Sequence, residues 1–280
     1  MRRLLLAQAA HWAHLPIQPV LPGGHDNRTF RLGAGLSVRL PSAEWYAPQA
    51  VKEHEWLPQL ASGLPVRIPR SVFLGSPSDD FPWPWSVREW IEGVPLAEIT
   101  PEVDEAALAY DLAAFLRALA TVNLEGGPAA GPQSYYRGGN LAVYDEEART
   151  ALSRVQDQID LDSALGVWER ALSTTWSHPP VWVHGDVAVG NLLLRSGRLE
   201  AVIDFGSLAV GDPACDLVPA WTIFSEAAAA IFREQLIYDP DTWARARGWA
   251  LWKAAITVVG GRPETLAAER VLHRVLSQGK

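Results

Sequence analysis

The sequence predicts an α+β fold of two lobes, a small β-rich lobe over residues 1–90 and a larger, mainly helical lobe over residues 91–280. Short apolar runs separated by Gly, Pro, Asp and Asn precede residue 90, which is typical of strands joined by turns. Longer segments with helical spacing of apolar residues follow Glu92 and Gly93. With 280 residues, 48% of them hydrophobic, the chain can bury a full core in each lobe.

The patterns of the first lobe predict five strands and one main helix. A short amphipathic helix follows Arg2 and Arg3 and stops between His11 and Pro16, and its apolar run is too short for a secretion signal. The main helix is expected over about residues 47–60, before Gly63. The strands are expected over residues 17–21, 28–32, 36–40, 72–74 and 85–90.

The second lobe is expected to open with a helix that begins at Pro101 and is capped by Thr100. Five apolar residues beyond that point share one helical face: Leu108, Leu112, Phe115, Leu116 and Leu119. A Gly- and Pro-rich connection over residues 126–139 leads into an acidic helical segment over residues 145–176. Strands are expected over residues 181–183, 191–194 and 199–203, and helices over the remainder.

Composition excludes several classes of protein. The net charge is −8 and no cluster of Lys or Arg is present, so nucleic acid is not an expected partner. No segment approaches the about 18 apolar residues that a membrane-spanning helix needs, so no membrane partner is expected. The single cysteine, Cys215, cannot form an intramolecular disulfide, and a cytoplasmic location is expected.

Charge is distributed unevenly between the predicted lobes. Residues 1–90 carry 9 Lys and Arg against 7 Asp and Glu, a balance of +2, whereas residues 91–280 carry 15 against 25, a balance of −10. A near-neutral or basic lobe suits an anionic ligand and an acidic lobe suits a cationic one. Ordinary solvated surface is the alternative interpretation.

Polar side chains cluster around two short predicted strands between residues 183 and 217. They are His184, Asp186, Asn191, Asp204, Asp212 and Asp216. Phosphoryl transfer needs a carboxylate that takes the hydroxyl proton and further oxygen ligands that hold Mg²⁺ against the nucleotide phosphates. Apolar residues at 181–183 and 192–194 place these groups at the ends of buried strands, where their positions are rigid.

The order of these residues resembles a known family. His-Gly-Asp-x4-Asn from His184, Ile-Asp-Phe-Gly from Ile203 and Asp-Pro-Ala-Cys-Asp-Leu from Asp212 are similar to the aminoglycoside phosphotransferase family, small-molecule relatives of protein kinases. The resemblance covers most of the chain and implies a bilobal, protein-kinase-like fold. Protein kinases usually carry Arg where Gly185 stands and have a longer segment after Asp204, which favours the small-molecule branch.

The resemblance implies a role for each residue of this segment. Asp186 is the expected catalytic base, with His184 bracing its loop. Asn191 and Asp204 are the expected ligands of Mg²⁺. Asp216 is expected to accept hydrogen bonds from the backbone of the Asp186 loop. A turn or helix cap is the alternative for Asp216 and for Asp212.

Further parts of the resemblance lie in the first lobe. A glycine-containing loop between two strands is expected to cover the nucleotide, although an ordinary hairpin turn would have the same pattern. Arg39 stands where the family commonly has a phosphate-binding lysine. Glu53 is its expected partner, and Glu55 is the less favoured one. The loop consists of Gly23, Gly24, His25, Asp26 and Asn27.

The segment that links the lobes is expected to bind the purine of ATP or GTP. The carbonyl of Glu89 and the amide of Ile91, on either side of Trp90, are the expected hydrogen-bonding groups. Backbone contacts serve either base, so the choice between ATP and GTP stays open.

The acceptor molecule is the part of the expected reaction that the sequence determines least. Six acidic residues of the inserted helical region are candidates to attract a cationic sugar, or else form a solvated face: Asp145, Glu146, Glu147, Asp157, Asp160 and Asp162. Six tryptophans are candidates for a stacking wall, or else pack in the core: Trp168, Trp176, Trp221, Trp243, Trp249 and Trp252.

Together these features predict a kinase that uses Mg²⁺ and ATP or GTP to phosphorylate a hydroxyl of a small molecule, with an aminoglycoside or another antibiotic as the expected acceptor. A metabolite kinase of the choline, homoserine or sugar type is the nearest alternative. A nucleotide-binding pseudokinase that serves as an interaction module is a weaker one, because the chain keeps the base and both metal ligands.

Overall fold

The computed structural model describes residues 1–21, 23–99, 103–261 and 263–277. Its first half contains a five-stranded antiparallel sheet with the strand order β1-β2-β3-β5-β4. The strands are β1 (Ile17–Pro19), β2 (Asn27–Leu32), β3 (Leu36–Pro41), β4 (Ser71–Gly75) and β5 (Trp85–Glu89). All five predicted strands are therefore present, with small differences at their ends.

Two helices pack against this sheet. The predicted first helix is α1, Arg2–Gln8, which buries Leu4 and Leu5 against Leu32, Val38 and Trp85 of the sheet. The predicted main helix is α2, Ala47–Ala61. It lies between the two halves of the chain, because its buried apolar residues join the core that is formed largely by residues after 91. The boundary at residue 90 stays a prediction.

Helices dominate the second half. They are α3 (Glu105–Thr121), α4 (Asp145–Arg154), α5 (Leu161–Leu172), α6 (Pro219–Thr222), α7 (Glu226–Gln235), α8 (Pro240–Val259) and α9 (Thr265–Ser277). The apolar face predicted for α3 is buried. The carboxylate of Asp104 caps α3 by accepting from the amide of Ala107 at 3.0 Å, while Thr100 and Pro101, the predicted start, lie outside the described residues.

The acidic segment predicted as one helical stretch over residues 145–176 is two helices. The chain leaves α4 at Val155, and the carboxylate of Asp160 accepts from the amide of Ser163 at 3.2 Å to start α5. An Asp side chain that caps a helix competes with helix continuation, which explains the break.

Two small sheets position the polar segment. Strand β7, Val181–Val183, pairs with β10, Ala209–Gly211. Strands β8, Leu192–Arg195, and β9, Arg198–Val202, form a hairpin whose outer neighbour is β6, Val94–Pro95. The sequence predicted β7, β8 and β9 and missed the short β6 and β10. Among the described residues, no helix is both long and apolar enough to cross a bilayer.

Candidate active site

The loop that follows β7 carries Asp186 and is held by the side chain of His184. His184 is fully buried, and its Nε2 lies 3.0 Å from the carbonyl oxygen of Ile203. The amide of Asp186 donates to Nδ1 of the same ring at 3.2 Å. These two bonds together assign the proton to Nε2, and the ring thereby ties the loop to the end of β9.

The buried carboxylate of Asp216 also holds this loop. The two oxygens of Asp216 accept from the amides of His184 at 2.6 Å and Gly185 at 2.7 Å. These are the backbone hydrogen bonds that the resemblance implied. Burial raises the pKa of Asp216, and the two donated hydrogen bonds oppose that rise.

Gly185 can only be glycine in this loop. Its φ is +84°, and a Cβ there would lie 2.7 Å from the carbonyl oxygen of Ser207. Both the backbone conformation and the lack of space exclude a side chain. The Arg that protein kinases usually carry at this place would not fit.

Asn191 faces Asp186 across the loop. The Nδ2 group of Asn191 donates to the backbone oxygen of Asp186 at 2.9 Å and to its carboxylate Oδ2 at 3.1 Å. Since the amide nitrogen takes both contacts, the Oδ1 atom of Asn191 accepts no hydrogen bond from the described parts of the chain. The amide oxygen of Asn191 therefore remains available to a ligand next to the Asp186 carboxylate.

Asp204 follows β9 in a left-handed conformation, with φ of 66°. A non-glycine residue in this region is strained and needs support from its surroundings. Its carboxylate accepts from Nη2 of Arg39 on β3 at 3.1 Å. Burial alone would raise the pKa of Asp204, but Arg39 outweighs it and the net shift is downward. Asp204 is therefore ionised at neutral pH.

The predicted pairing of Arg39 with Glu53 is present, and Glu53 also has a closer partner that was not predicted. Glu53 on α2 is fully buried and accepts a hydrogen bond from Arg88 on β5. Arg39 lies farther away, with Nη1 3.7 Å from Oε1 of Glu53. Arg39 on β3 is paired with Ser86 on β5, and Arg88 lies two residues further along β5 on the same face. The two guanidinium groups therefore lie near each other and reach the same carboxylate.

The sequence reasoning missed Arg88 as a site residue and placed it in the linker between the lobes. Alternation along β5 was the available signal, because Trp85 and Val87 are core residues and Arg88 belongs to the opposite face. Arg39 Nε and Arg88 Nη1 are buried and have no hydrogen-bond partner in the described structure. Buried donors without acceptors are rare, and an anionic ligand would satisfy them.

Helix α2 is also tied to the segment after Asp204. The ammonium group of Lys52 donates to the carbonyl oxygens of Gly206 at 2.7 Å, Leu208 at 3.0 Å and Gln133 at 3.0 Å. Burial lowers the pKa of Lys52 to about 8. Lys52 also lines a cavity of about 1,100 Å³ between α2 and the segment around Pro132, and Asp186 is not among the residues that line it.

The loop over residues 23–27 is anchored to the start of α2 by side chains. Asp26 accepts from Gln49 at 3.0 Å, and Asn27 donates to Gln49 at 3.4 Å. The ring of His25 lies 3.0 Å from the hydroxyl of Tyr46. A Cβ at Gly23 would meet nothing within 4 Å, whereas one at Gly24 would lie 3.4 Å from the carbonyl oxygen of Asn27. The nucleotide-binding role of the loop over residues 23–27 stays a prediction.

The linker after β5 leaves one backbone donor open. The amides of Glu89 and Trp90 donate to the carbonyls of Arg70 and Gly35 at 2.9 and 2.8 Å. The amide of Ile91 donates to no backbone carbonyl within the described ranges. It is thus available to a ligand.

Asp212 and Arg245 form a buried ion pair behind the site. Arg245 Nε donates to Asp212 at 2.6 Å, and Asp212 also accepts from the amide of Ala214 at 3.0 Å. Asp212 therefore caps the turn that leads to Asp216, which is the role of turn or helix cap given above as the alternative for Asp212. No local pattern indicated Arg245 as the partner, because it lies 33 positions from Asp212.

The six acidic residues that are candidates to attract a cationic sugar are not among the described residues that line the cleft beside Asp186. Asp145 accepts from the indole of Trp168 at 2.7 Å, and Glu147 from that of Trp252 at 2.8 Å. Glu146, Asp157, Asp160 and Asp162 are exposed, which agrees with the solvated-face alternative.

Most of the six tryptophans belong to the core, and one of them also lines the cleft. Four of the six are buried: Trp168, Trp221, Trp249 and Trp252. Core packing was the alternative for each of them and is correct for these four. Trp249 also lines the cleft, whereas Trp176 and Trp243 are partly exposed and do not.

The ligands available for Mg²⁺ are two oxygens of different kinds. Asn191 offers an amide oxygen and Asp204 an ionised carboxylate, and hard oxygen donors are what Mg²⁺ prefers. No group of three or more His, Cys, Asp or Glu residues able to hold a metal occurs in the described part of the chain. The residues fit an ion that is held by one or two protein ligands together with nucleotide phosphates.

The chain belongs to the phosphotransferase enzyme family, whose model matches residues 17–249. An aminoglycoside 3'-phosphotransferase of Streptomyces fradiae is 30% identical over an alignment of 198 residues that covers 68% of this chain and 64% of that protein. The match thus spans slightly less than two thirds of the curated relative.

Solved structures share the fold. The GDP and kanamycin complex of APH(2")-IIIa superimposes with a TM-score of 0.72 at 19% identity, covering 99% of this chain and 98% of the other. The apoenzyme of macrolide 2'-phosphotransferase MphH from Brachybacterium faecium gives a TM-score of 0.63 at 21% identity, covering 100% and 99%. The predicted fold class, a small sheet with one main helix followed by a larger helical part, is confirmed.

Proposed function

We propose that the protein transfers the γ-phosphoryl group of ATP or GTP to a hydroxyl group of a small molecule. The observation that carries the proposal is that Asn191 links two parts of the site. Its side chain contacts Asp186, and its backbone oxygen accepts from the amide of Ile203 at 2.9 Å. Ile203 precedes Asp204, which pairs with Arg39. A base, two oxygen ligands and a cation are the parts that phosphoryl transfer requires.

In the proposed reaction Asp186 accepts the proton of the acceptor hydroxyl. The hydroxyl oxygen forms a bond to the γ-phosphorus, the bond from that phosphorus to the bridging oxygen breaks, and the nucleoside diphosphate leaves with the electron pair. Asn191 holds the Asp186 carboxylate in place through its 3.1 Å hydrogen bond. His184 and Asp216 hold the loop backbone.

The nucleotide is assigned to the first lobe. Arg39 and Arg88, with their buried unpartnered N–H groups, support a phosphate site there. The open amide of Ile91 supports a purine contact. Asn191 and Asp204 are the residues that would hold Mg²⁺, which when bound neutralises phosphate charge. A cytoplasmic location is proposed from the single, buried Cys215.

The acceptor class of the relatives includes antibiotics. The printed names of similar proteins are aminoglycoside and macrolide phosphotransferases. We propose an antibiotic or related hydroxyl compound as acceptor on that ground, with fold similarity giving only the class of reaction.

Radiolabelled γ-phosphate transfer from ATP and from GTP to an acceptor panel tests the proposal. The panel contains aminoglycosides, macrolides, choline, homoserine and sugars. Transfer to at least one member is expected, and Asp186→Asn should reduce kcat by about 10²–10⁴-fold, whereas the exposed Asp162→Asn should leave it unchanged. Equal rates for wild type and Asp186→Asn would contradict the assignment of the base.

A further inference from the structure

The cavity between α2 and the segment over residues 128–135, here called the α2 cavity, is separate from the cleft beside Asp186. Its volume of about 1,100 Å³ is slightly above the roughly 300–1,000 Å³ that is typical of sites for small-molecule ligands. No residue lines both the α2 cavity and the cleft beside Asp186. A molecule in the α2 cavity would therefore lie apart from the place proposed for the acceptor hydroxyl.

One side of α2 forms the first wall of this cavity. Pro48, Val51, Lys52 and Glu55 line it, and their spacing of three and four residues brings them to the same face of the helix. Val51 is 41% exposed although it is apolar. This helix face thus offers apolar surface that a ligand could cover.

Aromatic rings form the walls on either side of that face. Trp45, which precedes α2, and Tyr135, on the facing segment, have ring centres 6.3 Å apart and planes inclined at 50°. Trp56 of α2 also lines the cavity. The indole of Trp45 is 61% exposed, so a bound apolar group would remove aromatic surface from water.

The ring of Tyr135 is fixed before any ligand binds. Its φ is 51°, in the left-handed region, where a residue other than glycine needs support from its surroundings. Its hydroxyl accepts from the buried side chain of Gln49 at 3.1 Å. A wall that is already ordered lowers the entropic cost of binding.

The charged groups of the cavity that are open to a ligand are acidic. Glu44 and Glu55 line it and are exposed, and neither makes an ion pair within the described ranges. Lys52 is the single cation among the described lining residues, and its ammonium group donates to three backbone carbonyl oxygens at 2.7, 3.0 and 3.0 Å. An ammonium group has three N–H donors, so Lys52 has none left for a ligand.

We propose that the α2 cavity binds an organic cation with an aromatic or other apolar body. Trp45, Trp56 and Tyr135 would cover the body, and Glu44 and Glu55 would attract the cationic group. Carboxylates beside aromatic rings favour such a cation over a neutral or anionic compound of the same shape. The inference does not depend on the proposed function, because the residues proposed to transfer the phosphoryl group do not line this cavity.

Three compounds that share one aromatic body and differ in charge test the inference. They are 1-pyrenemethylammonium, 1-pyrenemethanol and 1-pyrenecarboxylate, and titration of the full chain, followed by the fluorescence anisotropy of pyrene, measures their affinities. The cation is expected to bind at least about 10-fold more tightly than the alcohol, and the carboxylate more weakly than either. Equal affinities of the three compounds, or no binding of the cation, would overturn the inference.

Removal of the two carboxylates tests their role. In the double variant Glu44→Gln, Glu55→Gln, the preference for the cation over the alcohol should fall below about 3-fold. The matched control is the double variant Glu146→Gln, Glu226→Gln, which removes two exposed carboxylates outside the cavity and should keep the wild-type preference. A 10-fold preference that survives in the first double variant would overturn the assignment.

Aromatic variants show where the cation binds. Trp45→Ala should weaken binding of all three compounds by at least about 5-fold, whereas Tyr110→Ala, which removes an exposed ring outside the cavity, should not. Asp186→Asn should bind the cation as wild type does. A loss of binding in Asp186→Asn without a loss in Trp45→Ala would place the cation in the other cleft and overturn the inference. Thermal unfolding checks that each variant is folded.

Discussion

Arg39 Nη2 lies 3.1 Å from a carboxylate oxygen of Asp204, so a residue of β3 and the residue that follows β9 neutralise each other across the site. The family resemblance assigns these residues separately to phosphate and to metal. Their contact means that Arg39 also keeps the Asp204 carboxylate ionised by lowering its pKa against the effect of burial.

Arg39→Met should therefore weaken nucleotide binding in two ways, because it removes a cation beside the phosphates and also the group that keeps Asp204 ionised. It removes a charge-assisted contact worth about 1.5–3 kcal/mol, which corresponds to a 10- to 150-fold loss of affinity. Arg39→Lys keeps the charge and should lose less, although its ammonium cannot reproduce the planar fork. Titration calorimetry with Mg²⁺ and ATP measures both. Wild-type affinity in Arg39→Met would show that Arg39 does not contact the nucleotide.

Glu53 should be far more important for stability than its neighbour Glu55. Glu53→Ala leaves Arg88 and Arg39 buried without their shared carboxylate, and breaking a buried pair costs about 3–5 kcal/mol. Glu55 is exposed, so Glu55→Ala should change the unfolding free energy by less than about 0.5 kcal/mol. Urea denaturation of both variants checks this, and equal losses would refute the importance of the buried cluster.

Gly185→Ala should lower both stability and kcat. The new Cβ would lie 2.7 Å from the Ser207 oxygen at a φ of +84°, a strain of about 1–3 kcal/mol that displaces the Asp186 loop. Gly166→Ala in α5 is the matched control, because nothing lies within 4 Å of that Cβ and alanine favours the helix. Thermal unfolding and steady-state kinetics measure the difference. Wild-type kcat in Gly185→Ala would contradict the described loop.

Lys52 should make unfolding depend on pH in the alkaline range. Burial lowers its pKa from an ordinary value near 10.5 to about 8. Below about pH 8 both the folded and the unfolded chain carry this proton, so the contribution of Lys52 is constant there. Between pH 8 and 10.5 the unfolded chain binds the proton that the folded chain has lost, and the unfolding free energy rises with pH.

The comparison with Lys52→Met isolates this effect, since the variant cannot titrate at that position. The unfolding free energy of wild type minus that of the variant, measured by urea denaturation, should be flat below pH 8 and increase above it. A difference that stays constant to pH 10 would show that Lys52 keeps its ordinary pKa.

The parts of the fold that depend on local pattern could be predicted from the sequence. The apolar spacing of α3, the strand alternation around Val38 and the turn signals near Gly63 act over a few residues. The break that divides the segment over residues 145–176 into two helices was missed because it depends on one side chain, that of Asp160, which accepts from the amide and the hydroxyl of Ser163.

Local pattern could predict the site only where residues close in sequence form it, and the contact of Asp216 with Gly185, 31 positions apart, came from the family resemblance. Asp186 and Asn191 are five positions apart and meet through one loop, whereas Arg88 reaches Glu53 across 35 positions and Arg245 reaches Asp212 across 33. Such contacts depend on strand register and helix packing.

Titration of ATP and GTP into wild type and Asp204→Asn, with Mg²⁺ and with a chelator, tests most directly whether Asp204 and its neighbours hold a metal-bound triphosphate. Mg²⁺ is expected to tighten binding to wild type by at least about 10-fold and to leave Asp204→Asn nearly unaffected. Equal affinity of wild type in Mg²⁺ and in chelator, for both nucleotides, would contradict the phosphotransfer site.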